Sequence, residues 1–175
     1  DGARIRTRKV IWAAGVIGDA LPGLPPESHT YGRRLKVDRS FQVEGLRDVY
    51  AVGDIAYMIE DDYPSGHPQV AQAAIQHARH LAGGFKRRLE GRAPEPFHYR
   101  DKGSMATIGR NKAVVDLPSF RFQGAFAWLV WLFVHLFQIL GVRNKVIVFL
   151  NWVWNYFTYD QSLRLIIRPL IRKKE

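Results

Sequence analysis

"DVYAVGD", residues 48–54, reads as an apolar strand that ends in a glycine and a carboxylate. In α/β sheets ligands bind outside the carboxyl ends of strands. Gly53 lets a ligand approach the backbone closely. Asp54 can accept hydrogen bonds from the hydroxyls of a sugar or ribityl chain. The bland alternative is an ordinary turn after a strand. Upstream, "KVIWAAG" (9–15) has the same design, a buried strand over Lys9–Ala14 closing at Gly15. Between the two, "RLKVDRSFQVEG" alternates on each side of a polar turn at Asp38–Ser40 and predicts a hairpin.

Downstream, Pro64, Gly66 and Pro68 mark a loop, with Pro68 suited to the first position of a helix. Val70, Ala74, Ala78 (or His77), Leu81 and Phe85 then recur at helical spacing to about Leu89. "EGRAPEP" is a connector. Residues 97–122 hold short β runs, "SMATIG" and "AVVDL", around a turn at "RNK", and predict a small antiparallel element. From Gly124 the chain is helical by composition. The expected class is α/β, divided into 1–95, 96–122 and a helical tail, 123–175.

The 175 residues suffice for a compact domain with an appendage. There is no cysteine, which removes disulfides, thiolate chemistry and cysteine metal sites. "DGARIRTRKV" has no apolar run before position 10, so no signal peptide is expected there. Without an initiator Met, an internal cut is expected. The formal net charge is +10, and residues 121–175 hold eight Lys/Arg against Asp160 and Glu175. That surplus shares its segment with an uncharged run from Phe122 to Val142. Cations beside apolar side chains suit an anionic lipid surface better than a nucleic-acid groove.

The run Phe122–Val142 is long enough to cross a bilayer, which takes about 20 residues. The following stretch differs. Asn151, Asn155, Thr158 and Ser162 share a face, and Trp152, Trp154, Tyr156, Phe157 and Tyr159 crowd around them, the aromatic pattern of a membrane–water interface. Arg164, Arg168 and Arg172 make a cationic stripe interrupted by Pro169. Three arrangements fit the tail: helices lying in the membrane plane, a spanning helix over 124–142, or a buried hairpin or dimer seam. A symmetric homodimer through the tail would suit its apolar excess.

In "HPQVAQAAIQHARHL", Gln72 and Gln76 are one turn apart and share a face. They are neutral donors and acceptors, and on spacing alone they read as a solvated face. His77 and His80 could touch one ion, but no third ligand stands at sensible spacing, so no metal is expected.

With the order strand–AAG, hairpin, "GLRDVYAVGD", loop and "PQVAQAAIQHA", followed by "GSMATIGRNKAVVD" and "AWLVWLFVHL", the chain resembles two-dinucleotide-binding-domain flavoproteins. Among them it is most similar to the type II NADH:quinone oxidoreductases, over nearly its whole length. The resemblance implies the C-terminal part of a Rossmann-like FAD-binding domain and a membrane-binding tail. It implies FAD, NADH and a membrane quinone. The family's Gly-rich fingerprints precede the matched region, and no G-x-G-x-x-G occurs here. The nicotinamide site is therefore expected outside this chain, and the isolated piece is expected to be inactive.

The resemblance assigns Asp54 to the ribityl chain, and Gly15 and Gly53 to close approach. The helix start would face the flavin's pyrimidine edge. Ala73, with Ala71 and Ala74, would let the isoalloxazine lie near. Gln72, Ile75 and Gln76 would border the quinone pocket, and His135 would stand at its mouth. Some members carry His where this chain has Ile75, so proton donation there is not implied. The implied location is the cytoplasmic face of the cell membrane, with the tail lying on it and no proton pumping. Rivals are a non-catalytic membrane-surface module and another quinone-linked flavin reductase. A sulfide:quinone reductase would need redox cysteines, which are absent.

Overall fold

The computed structural model describes residues 4, 6–11, 13 and 15–158. The chain divides into two compact units between Lys102 and Gly103. It is a mixed α/β structure.

The first unit is built around a short parallel pair. Strand β1 (Leu35–Lys36) pairs with β2 (Ala56–Tyr57), Leu35 opposite Ala56. Leu35, Phe41, Val43, Met58, Phe97 and Tyr99 fill the core. Full burial of each large side chain contributes about 1.5–3 kcal/mol. The expected hairpin forms: Val37 bridges Val43, and the Asp38 carboxylate accepts the N–H groups of Ser40 and Gln42.

Helix α1 (Ala71–Leu89) closes this core. It begins three residues later than the sequence suggested. The Val70 backbone is still extended, and its carbonyl accepts from Ala73 and Ala74. The inward face is also turned. Ala73 and His77 are buried with Leu81 half-buried behind them, whereas Ala78 is exposed and Val70 and Phe85 are 40% and 41% exposed. The periodicity was right, but a histidine sits where an apolar side chain was equally expected. Lys86, Arg87 and Arg88 in the last turn complement the helix dipole.

Two expected strands do not form as written. "VYAVGD" makes one bridge, Tyr50 to Gln42, and only Ala51 in it is buried. Its amides and carbonyls are shared with the hairpin: Val43 N–H donates to Val49 O, and Ala51 N–H to Phe41 O. The parallel pairing comes later, after a 3₁₀ turn at Gly53–Ile55. In Lys9–Ala14, residues 9–11 and 13 form no strand, and Val10 and Ile11 are 76% and 92% exposed. A strand needs a neighbour for its backbone groups, and none of the described residues pairs with this one. Trp12 and Ala14 lie outside the described residues.

The second unit is a three-stranded antiparallel sheet with two helices. Strands β3 (Ser104–Gly109), β4 (Lys112–Asp116) and β5 (Arg121–Gly124) run in sequence order. The β3–β4 turn places Asn111 at φ 58°, a conformation Asn tolerates. Along β4, Ala113 and Val115 are buried and their neighbours exposed. Against them lies Ala127 of α2 (Ala125–Gln138), fully buried. Gly103 fits only as glycine: its φ is 86°, and a Cβ would stand 2.3 Å from the Asp116 carbonyl oxygen.

Helix α2 stops at Gln138, the chain turns through Gly141 at φ 81°, and α3 (Val142–Thr158) begins. This overturns the alternative of one spanning helix over 124–142. At 1.5 Å per residue, α2 covers about 21 Å of the roughly 30 Å required. Among the described residues, no helix is long and apolar enough to cross a membrane. The two helices meet through Trp128–Tyr156 and Trp131–Trp152 ring contacts. Ser162 and the Arg164, Arg168 and Arg172 stripe lie outside the described residues.

Candidate functional site

The Gly53–Asp54 turn and the start of α1 lie together. Gly53 has φ 74°, which strains any L side chain, and a Cβ there would stand a tight 3.3 Å from the Ala74 Cβ. Asp54 follows in the same 3₁₀ turn with its carboxylate exposed. Gln69 steadies the turn, its amide donating to the Asp54 carbonyl at 3.1 Å. Helix α1 has no side-chain cap at its N-terminus, so the positive end of its dipole faces outward beside this turn.

Gln72, Ile75 and Gln76 stand on the outer side of α1, with Ile75 44% exposed. The two glutamines are not loose. Gln76 grips the Arg100 backbone with both ends of its amide, donating to the carbonyl at 2.9 Å and accepting from the N–H at 3.1 Å. Gln72 accepts from Lys102 N–H and donates to the Asp101 carboxylate, both at 3.0 Å. Spacing i, i+4 on the helix is matched to i, i+2 on the connecting segment Arg100–Lys102. Gln76→Ala should therefore destabilise the first unit by about 1–2 kcal/mol and speed hydrogen exchange at the Arg100 amide. Unchanged exchange and stability would mean that the clamp carries no energy.

Ala73 is elsewhere than expected. It is 2% exposed and packs in the core, so of the small residues Ala74 is the one that stands against the turn. Gly15, at φ 74°, stands in an exposed loop with nothing within 4 Å of a Cβ position. The close-approach glycine on that side is Gly18, whose Cβ would meet the Arg33 carbonyl oxygen at 2.4 Å. In the second unit, His135 stacks on Trp131 at 4.2 Å and donates from Nδ1 to the Trp131 carbonyl at 2.7 Å. Helices α2 and α3 there enclose an open cleft of about 560 Å³, lined by Trp128, Trp131, Trp152, Tyr156 and Arg110.

Sequence reasoning missed a row of buried polar groups behind the turn. His77 Nδ1 accepts the Gly53 N–H at 3.1 Å, and its Nε2 lies 3.0 Å from His67 Nδ1. His67 Nε2 is 3.2 Å from Glu60 Oε1, and His98 Nδ1 is 2.7 Å from Glu60 Oε2. These last two contacts are close in distance without the alignment of full hydrogen bonds. Burial, then the neighbouring His67 and Arg34, push His77 down to about 4. Burial also lowers His67, against the pull of Glu60. Arg34, itself buried, donates to the His67 carbonyl at 3.0 Å. Only the rarity of buried histidine could have signalled this row in advance.

The model of the NDH2 C-terminal domain matches residues 102–159. The Mycobacterium tuberculosis type II NADH:quinone oxidoreductase Ndh is 36% identical over 166 residues, which are 89% of this chain and 34% of that protein. The Arabidopsis thaliana internal alternative NAD(P)H-ubiquinone oxidoreductase A1, mitochondrial, is 30% identical over 89% of this chain and 34% of its own length. Among solved structures, NDH2 from Plasmodium falciparum in complex with NADH has a similar fold, with a TM-score of 0.64 and 19% identity, covering 73% of this chain and 40% of that one. The chain thus spans about a third of the length of the curated relatives it matches. It belongs to the type II NADH:quinone oxidoreductase family and corresponds to the C-terminal part of those enzymes.

Proposed function

We propose that this chain is the C-terminal portion of a membrane-associated flavoprotein that passes electrons from NADH, bound by a domain outside the chain, through FAD to a membrane quinone without pumping protons. The observation that carries the reading is the Gly53–Asp54 turn packed on the uncapped start of α1. These residues suit a flavin. The turn offers close backbone approach beside an exposed carboxylate, and the helix end offers a positive dipole. FAD would supply the two-electron chemistry that links a hydride donor to a quinone.

Asp54 would accept a hydroxyl of the ribityl chain, and Gly53 would let that chain lie against the backbone. The α1 N-terminus favours negative charge developing at the flavin's pyrimidine edge. Ile75 gives the quinone ring an apolar wall. Gln72 and Gln76 border it and, through Arg100–Lys102, hold the adjoining segment in place. His135 belongs to the quinone entrance on the tail side in this reading.

The tail is the lipid-facing part. Phe126, Phe137, Leu140, Trp154 and Phe157 are each more than 65% exposed, an apolar excess suited to lying in the headgroup region. The chain's positive charge favours the anionic cytoplasmic leaflet, and a homodimer seam is the competing cover. The division expected at 95 moves to 102, because Phe97 and Tyr99 belong to the first core; the FAD-domain end is proposed up to that point, with the β element and the membrane tail beyond.

The test is the full-length protein from washed membranes. Expected are a flavin absorbance band bleached by NADH and restored by a soluble quinone, with no acidification in sealed vesicles. A full-length protein with no flavin would sink the reading and leave a membrane-surface module.

A further inference from the structure

Three buried groups from three segments stand in line behind the Gly53–Asp54 turn. Glu60 follows β2, His67 precedes α1, and His77 lies in the second turn of α1. Glu60 is 4% exposed and the two histidines 1% each. Packed round the imidazoles are Phe41, Phe97 and Tyr99, with ring centroids near 5 Å.

One backbone donor fixes the protons in the row. Gly53 N–H can only donate, so His77 Nδ1 must accept and its proton resides on Nε2. That proton points to His67 Nδ1, 3.0 Å away. His67 in turn must carry its proton on Nε2, facing Glu60 Oε1. The carboxylate, 3.2 Å from that proton's nitrogen, favours the same tautomer, and the acceptor this arrangement leaves at the other end of the row is the one that holds Gly53. The N–H it holds belongs to a positive-φ glycine in a short turn, where no helix or ladder supplies a partner. Losing that partner costs the desolvation of a half-buried amide.

We propose that His77 is a positioning residue, which keeps the Gly53–Asp54 turn in the conformation that receives the flavin, and that His67 and Glu60 act by fixing its tautomer. The proposal rests on the flavin reading above. It does not make His77 a proton donor to flavin or quinone, because the row ends at a backbone amide. The charged and titratable groups facing it are Glu60, Arg34, Arg39, His98, Tyr63 and Tyr99.

The two amide side chains separate the two ring nitrogens. Asn places an acceptor near the Nδ1 position, and Gln places a polar atom near Nε2. In the full-length protein, flavin release is followed by fluorescence on dilution for wild type, His77→Asn and His77→Gln. His77→Gln should raise the FAD dissociation constant about tenfold, and His77→Asn should stay within about twofold of wild type. The melting temperature, which reads core packing, should fall for both. Equal FAD affinities in the two variants would overturn the proposal. Should His77→Gln fail to fold, His67→Asn and His67→Leu test the same link one step away. The Leu variant is expected to lose flavin several-fold more readily, and equal behaviour overturns the proposal. A flavin-free wild type would overturn the flavin reading itself, and with it this inference.

Discussion

Lowering the pH from 7 to 4.5 is expected to remove about 2 kcal/mol from the first unit through His77 alone. The histidine's folded value is about 4, held down by burial first and by His67 and Arg34 next. In the unfolded chain it titrates near 6.5. Above 6.5 neither state binds the proton and the stability is whole. Between 6.5 and 4 the unfolded chain takes a proton that the folded chain refuses, so stability falls as pH falls.

His67 is lowered as well and adds in the same direction. Its nitrogen stands 3.0 Å from that of His77, so protonating either ring puts a donor where the row needs an acceptor. For a unit of about 100 residues the loss corresponds to a melting temperature lower by roughly 10 °C. Carboxylates titrate in the same range, so the measurement is a difference. Melting curves of wild type and His77→Asn are compared at pH 7 and 4.5, and the variant should show a distinctly shallower fall. Equal slopes would mean that His77 is already protonated, or hydrated, at neutral pH.

The parts of this fold that were legible in the sequence are those governed by local rules. The second unit's strands follow alternation, as at Ala113 and Val115. The hairpin at Asp38 follows a side chain that accepts from its own turn. Helix α1 is visible from Val70 to Leu89, but its inward face is decided by what packs on it, and that is Phe41 and Phe97 rather than anything within the helix. The two Gly-terminated apolar runs read as strands because each is a short continuous apolar stretch closed by a glycine. Whether such a run is a strand depends on a partner. Among the described residues the second run finds a hairpin and the first finds none.

The site divides the same way. Gly53 is conspicuous because its positive φ favours glycine, and Asp54 because a carboxylate follows it at the end of an apolar run. Gln72 and Gln76 were visible as a pair, yet their grip on Arg100–Lys102 depends on a segment more than 20 residues away. In the tail, composition alone could not place the break at Gly141 that divides one apolar run between two helices. The buried row was illegible for a related reason. Its members lie at 60, 67 and 77, no two at a spacing that any single element brings together.

That row also fixes where the largest substitution effect should fall. Glu60 is 4% exposed and draws Arg39 Nη2 to 3.6 Å, His67 Nε2 to 3.2 Å and His98 Nδ1 to 2.7 Å, while its Oε1 accepts the Tyr99 N–H at 3.2 Å. Removing one partner from a buried charged group typically costs about 3–5 kcal/mol, because the rest is left uncompensated. Arg39 is 43% exposed and can turn to water, so Glu60→Gln should lie at the low end, about 3 kcal/mol. The amide's NH₂ would also face ring N–H groups where an acceptor is needed. The cost should depend on His67. With His67→Phe in the background the ring has no N–H to orphan, and the double variant should be milder than the sum of the singles by about 1 kcal/mol or more. Urea denaturation of the four proteins at pH 7 measures this. Strict additivity would show that the 3.2 Å approach between Glu60 and His67 is proximity without coupling. A coupling of about 1 kcal/mol or more at pH 7 is the expected outcome, because the neutral His67 ring presents its Nε2 proton to the carboxylate, whose oxygen is 3.2 Å from that nitrogen.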